Sequence, residues 1–124
     1  MKTLTAVVVL ALAWAPASFA QIRPADIPGF RHDCEANKWS ACMMMGDLYG
    51  QDSHSDESGV PVDNAQAAGF YRKACNGGFM DGCVALGLMM DQGEGMPADK
   101  AQAAVLYKKA CDAGNHMGCT MLMP

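Results

Sequence analysis

Residues Cys75–Cys83 read CNGGFMDGC: two cysteines eight positions apart, with a Gly-Gly and an Asp-Gly between them. The same separation recurs at Cys34/Cys42 and Cys111/Cys119, and these six are all the cysteines of the chain. In one continuous helix, residues eight apart are separated by about 12 Å of rise. A disulfide needs Cα atoms roughly 4.4–6.8 Å apart. If each pair is bonded, the chain turns back between its members, and the glycines permit the turn. Each pair then staples the end of one helix to the start of the next across an antiparallel αα-hairpin. Two other readings are three buried pairs of free thiols and a zinc site. No C-x-x-C and no suitable histidine spacing accompanies the cysteines, which argues against zinc.

The N-terminus bears on the redox question. Lys2 precedes an unbroken apolar run, Ala6 to Ala15 (AVVVLALAWA), which Pro16 ends; Ser18-Phe19-Ala20 then offers small residues at −3 and −1. This pattern predicts a secretory signal peptide over residues 1–20, cleaved after Ala20. The alternative is an uncleaved anchor, but a bilayer span needs roughly 20 apolar residues, and no later segment is apolar enough to cross. The expected location is secreted or periplasmic, where disulfides persist. Six cysteines then read as three bridges, with 15 connectivities open before the spacing is weighed. The chain has 13 Asp+Glu against 9 Lys+Arg. Without a basic stripe, nucleic acid is excluded as an expected partner.

The chain also repeats itself. Asp63–Cys75 (DNAQAAGFYRKAC) and Asp99–Cys111 (DKAQAAVLYKKAC) are identical at nine of thirteen positions, at an offset of 36. A period of 20–50 residues signals a repeat array. Cys34 precedes Cys75 by 41, and the surplus falls in the polar, acidic stretch 51–59 (QDSHSDESG). Asp63 and Asp99 are good helix N-caps, and Ala-rich segments of strong helix propensity follow them. Ala68, Tyr71 and Cys75 share one helical face, as do Ala104, Tyr107 and Cys111. Gly77-Gly78 and Gly114 supply a left-handed stop. A Met- and Leu-rich helix starts near Cys42 and near Cys83.

These residues resemble a Sel1-like repeat: M45-G-D-L-Y49, G59-V-P-V-D63, Y71-R-K-A-C75 and Gly78 in one copy; L86-G-L-M-M90, G93-E-G-M-P-A-D99, Y107-K-K-A-C111 and Gly114 in the next. The eight-spaced cysteines are similar to those of the cysteine-rich secreted, Hcp-like branch. Met89-Met90 departs from the usual Leu-Tyr, and Met123 replaces the glycine found at Gly46 and Gly87. The resemblance implies an all-α, TPR-like αα-hairpin solenoid. Its expected parts are an extended arm over 21–33 and a repeat domain over 34–124, with repeats at about 34–74 and 75–110 and a partial unit at 111–124.

The resemblance further implies a scaffold for protein–protein interaction. Side chains of each first helix are the natural contacts: Asp47, Leu48 and Tyr49, then Leu88, Met89 and Met90. Met121, Leu122 and Met123 of the partial unit are expected to serve partner binding or self-association. Some Hcp-like proteins are penicillin-binding or β-lactamase-like, which makes a hydrolase the alternative, yet no S-x-x-K occurs here. Ser53-His54-Ser55-Asp56 is adjacency in sequence, not a triad. The eleven methionines raise a Cu(I) reading, with Met117, Met121 and Met123 beside His116; the competing reading is that thioethers fill helix-packing gaps. His54 with Asp52, Asp56 or Glu57 is a weaker metal candidate. The expectation is therefore no cofactor, no resident metal and a protein or peptide partner.

Overall fold

The computed structural model describes residues 23–50 and 59–123, and within them all regular structure is helical. A 3-10 turn, Pro24–Asp26, leads into α1 (Ile27–Glu35), α2 (Trp39–Tyr49), α3 (Asn64–Asn76), α4 (Met80–Gln92), α5 (Lys100–Asp112) and α6 (His116–Met121). Each helix packs on the next in chain order. Residues 1–22, 51–58 and 124 lie outside the described residues, and with them the expected signal peptide and the whole His54 loop.

The connection from α1 to α2 is a tight turn, and it is repeated from α3 to α4 and from α5 to α6. The residue three positions after the first cysteine takes a left-handed conformation each time: Asn37 (φ 65°), Gly78 (φ 95°) and Gly114 (φ 91°). Its N–H donates to the carbonyl of that cysteine, and the next N–H donates to the carbonyl before it: Lys38 to Asp33, Phe79 to Ala74 and Asn115 to Ala110 at 2.9–3.0 Å. This closes the orphan carbonyls of each helix end. Asparagine can stand in at position 37 because its short polar side chain tolerates the left-handed region. The reversed chain brings the paired Cα atoms to 4.6, 4.5 and 4.5 Å, and the bridges are Cys34–Cys42, Cys75–Cys83 and Cys111–Cys119.

Helices α3 and α5 begin as the sequence predicts. The Asp63 carboxylate accepts the Gln66 N–H and Asp99 that of Gln102, both at 3.0 Å. Within each repeat the aromatic ring of the second helix lies over a glycine of the first. A Cβ on Gly46 would sit 2.3 Å from Tyr71, and one on Gly87 would sit 2.6 Å from Tyr107. The glycines are therefore the slots into which the rings pack. Gly82 and Gly118 serve the hairpins similarly, since a Cβ there would meet Ala74 and Ala110 at 2.7 Å. The buried side chains fall into three clusters strung along the stack, as expected of an array whose units touch only neighbours.

Over the described part of the expected extended arm, residues 23–33, an arm is not what forms: residues 24–35 are helical. Pro24 and Pro28 stand in the first turn of their helices, where a missing N–H removes no internal bond. Asp26 accepts the Arg23 backbone N–H at 3.0 Å, and Ile27 and Phe30 pack against the first core cluster. The segment thus corresponds to the second helix of a repeat, in register with α3 and α5 through Cys34.

Candidate functional site

The first helices of successive units are α2, α4 and α6. Counted from Cys42, Cys83 and Cys119, positions −2, +2 and +5 fall on one stripe of an α-helix. They hold Ser40, Met44 and Asp47 in α2, then Asp81, Ala85 and Leu88 in α4, then Met117 and Met121 in α6. All eight are exposed or half-buried. The stripe combines thioethers with carboxylates, and α2, α4 and α6 contain no lysine or arginine. The Asn115 Nδ2 donates to Asp81 Oδ1 at 2.7 Å, which ties the start of α6 to the stripe of α4.

The expected contact residues divide accordingly. Asp47 is exposed, and its Oδ1 accepts the Tyr71 hydroxyl at 2.8 Å. Leu88 is half-buried on the stripe; Tyr49 and Met90 are half-buried beside it. Leu48 and Met89 are corrections: at 5% and 6% exposure they belong to the core. Each lies one residue beyond the outward position, and a step of about 100° turns it inward. Met121 packs against the core, whereas Leu122 and Met123 are exposed, Met123 at 71%. Met44, Asp81 and Met117 are surface residues that the sequence reading did not assign to the contact surface; they lie at +2, −2 and −2 from the second cysteines, on a stripe whose outward direction the packing fixes.

The same register exposes a difference between repeats. Leu88 replaces Asp47, so the buried Tyr107 hydroxyl has no hydrogen-bond partner among the described residues. Burial, with a smaller contribution from the Asp91 carboxylate, pushes its pKa above the ordinary phenol value. Among the described residues no group of three or more His, Cys, Asp or Glu could hold a metal. Around the candidate copper ligands, His116 and Met117 are exposed on α6, Met121 packs inward, and Met123 lies past the helix end.

Helices stacked in order, joined by stapled hairpins and presenting aligned stripes from every first helix, define an αα-hairpin solenoid, a class that works through its extended surfaces. The Sel1 repeat profile matches residues 39–79 and 81–115, and the chain belongs to the Sel1 repeat family. Its structure is similar to Helicobacter pylori cysteine-rich protein B, with a TM-score of 0.72 and 31% identity, covering 91% of this chain and 79% of that one. A Sel1 repeat protein of Oxalobacter formigenes superimposes with a TM-score of 0.65 over 78% of this chain and 69% of the other; at 23% identity the likeness is one of fold. A protective antigen of uropathogenic Escherichia coli strains with an SLR fold matches 77% of this chain but only 20% of its own, at 30% identity and a TM-score of 0.68. No curated protein sequence matches. Sel1 repeat proteins generally act as protein–protein interaction scaffolds. The disulfides and the Helicobacter relative are consistent with an extracytoplasmic location.

Proposed function

We propose that the protein is an exported scaffold that binds a protein partner across the stripe of α2, α4 and α6, after removal of residues 1–20. The observation that carries this reading is the composition of the stripe. Met44 and Met117 are exposed thioethers, and Asp47 and Asp81 are the carboxylates between them, with no lysine or arginine on any of the three helices. Flexible, polarisable methionines adapt to varied apolar side chains. The carboxylates favour a partner surface that mixes basic and apolar groups, because complementary charge directs docking. Asp47 is held in place by Tyr71, so part of the surface is preorganised.

Affinity capture from the exporting compartment, with the intact protein as bait, would supply the partner. The double substitution Met44→Lys and Met117→Lys should then abolish capture while leaving the circular dichroism spectrum unchanged, since both side chains are exposed. Unchanged capture by that variant would reject the stripe as the binding surface. Leu122 and Met123 extend the apolar surface past α6, and we assign them to partner or self-association contacts. Deletion of residues 120–124 tests this by sedimentation: identical behaviour of the two forms, alone and with partner, would remove them.

A further inference from the structure

The C-terminal ends of α1 and α3, with the start of α2, frame a groove that continues along α3 and on which the reading above makes no claim. One cavity of about 390 Å³ is lined by Glu35, Asn37, Trp39, Lys73 and Asn76 together with Cys34 and Gly77. A second, of about 210 Å³, is lined by Gln66, Gly69, Phe70 and Lys73. Lys73 is common to both, so the depression runs along α3 from Gln66 to Gly77. We propose that this groove is a separate binding site that takes an extended peptide segment with an acidic side chain next to an apolar one.

The apolar part of the argument begins with Gly69. A mid-helix glycine destabilises a helix relative to alanine. The helical glycines at 46, 82, 87 and 118 each have a packing reason, because a Cβ would strike a neighbouring helix. Gly69, like Gly29 in α1, has none: an added Cβ meets nothing within 4 Å, and of the two only Gly69 lines one of these cavities. What its missing side chain leaves open is the small cavity beside Phe70. The next repeat places Val105 and Leu106 at the corresponding positions and Met80 at that of Trp39. Val105 is 62% exposed, so a side chain stands where the first repeat has a hollow.

The charged part rests on two cations. The Arg31 guanidinium lies 5.6 Å over the Phe70 ring and donates to the Tyr49 hydroxyl at 3.3 Å, while Tyr49 stacks on Phe70 with centroids 5.9 Å apart. This arrangement fixes Arg31 over Phe70, a residue that lines the smaller cavity. Lys38 and Lys108 are each paired with an aspartate, but among the described residues neither Arg31 nor Lys73 has a carboxylate partner. A ligand carboxylate at the middle of the groove would meet Lys73, which lines both cavities, with Arg31 over the Phe70 ring beside the smaller one. At the far end, the carbonyl ends of α1 and α3 and the Glu35 carboxylate disfavour an anion, which places the acidic group on the Gln66 side of Lys73. Asn37, Asn76 and Gln66 offer donors and acceptors for a peptide backbone. Eleven helical positions span about 16 Å, the reach of about five extended residues.

The test is a titration of the purified protein with a blocked pentapeptide library in which one Asp is preceded or followed by Leu or Phe. The indole N–H resonance of Trp39 reports occupancy. The expected result is a saturable shift that weakens at least tenfold with Asn in place of Asp. Gly69→Val and Lys73→Glu should weaken it equally, and Gly69→Ala by less, with circular dichroism confirming that the variants fold. Absence of saturable binding by any library member would overturn the proposal. So would binding unchanged in Gly69→Val, or a Lys-containing peptide bound as tightly. If an N-acetylglucosamine oligomer saturates the same resonance and the peptides do not, the groove binds glycan and the proposal fails. The Met44→Lys, Met117→Lys variant should titrate like the parent, which keeps this test independent of the scaffold reading.

Discussion

Tyr71 and Tyr107 occupy the same place in successive repeats and meet different chemistry. The Tyr71 hydroxyl donates to Asp47, whereas that of Tyr107 is buried without a partner among the described residues. A buried polar group left unsatisfied costs about 1–3 kcal/mol, and a typical made hydrogen bond contributes about 1 kcal/mol. Tyr71→Phe should therefore destabilise the protein by about 1 kcal/mol in urea unfolding, and Tyr107→Phe should be neutral or stabilising. Equal losses from the two would contradict the assignment of the orphan hydroxyl. The glycines give a second contrast. Gly87→Ala pushes a Cβ into the Tyr107 ring, an overpacking that should cost about 1–3 kcal/mol. Gly69→Ala meets open space and should gain about 0.5–1 kcal/mol from helix propensity. The two substitutions are chemically identical, so opposite signs in thermal melts would isolate packing from propensity.

At the scale of the helices, ends matter more than middles. Asp63 caps α3 through Oδ1 to the Gln66 N–H and through Oδ2 to the Gln66 side-chain amide at 2.9 Å. The Gln66 side chain, then its backbone N–H, holds the carboxyl below its ordinary range. The hydrogen bond from Lys38 does the same for Asp33, and the Arg23 backbone for Asp26. A lowered folded pKa means the unfolded chain takes up protons first. The stabilisation is present above the ordinary carboxylate pKa of about 3.9 and is lost as pH falls through the depressed folded values. Urea midpoints should therefore drop as the pH falls below about 4, and Asp63→Asn, which retains a capping oxygen, should flatten that slope. These caps were legible in the sequence because cap, turn and cysteine each occur more than once in one register. The helix at α1 was not, since prolines at 24 and 28 read equally as an extended arm until Ile27 and Phe30 are seen docked. Direction was the other hidden quantity. A helix as apolar as MDGCVALGLMMDQ does not announce its outward face, so Leu48 and Met89 could be told from Asp47 and Leu88 only by their packing.

The whole molecule is a short stack in which no unit touches more than its neighbours, and such arrays derive stability from interfaces between units. Few interfaces are available here, so the staples carry unusual weight. Each bridge closes a loop of nine residues, for which chain entropy gives roughly 2.6 kcal/mol. Three such loops approach the roughly 5–15 kcal/mol of net stability typical of a domain. Full reduction should accordingly remove most of the helical circular dichroism signal at room temperature, and retention of the native spectrum in reductant would refute the role given to the bridges. The three are not equally protected. Cys34, Cys42, Cys75 and Cys83 are buried, while Cys111 and Cys119 are half-buried. Thiol–disulfide exchange requires access of a thiolate to sulfur. Limited reduction followed by alkylation and mass spectrometry should therefore label Cys111 and Cys119 first. Because contacts in a solenoid are local, the singly opened species should keep most of its helicity, losing chiefly α6. Labelling of Cys75 or Cys83 ahead of Cys111, or collapse of all helices on opening the terminal bridge, would show that the array unfolds as one unit rather than from its end.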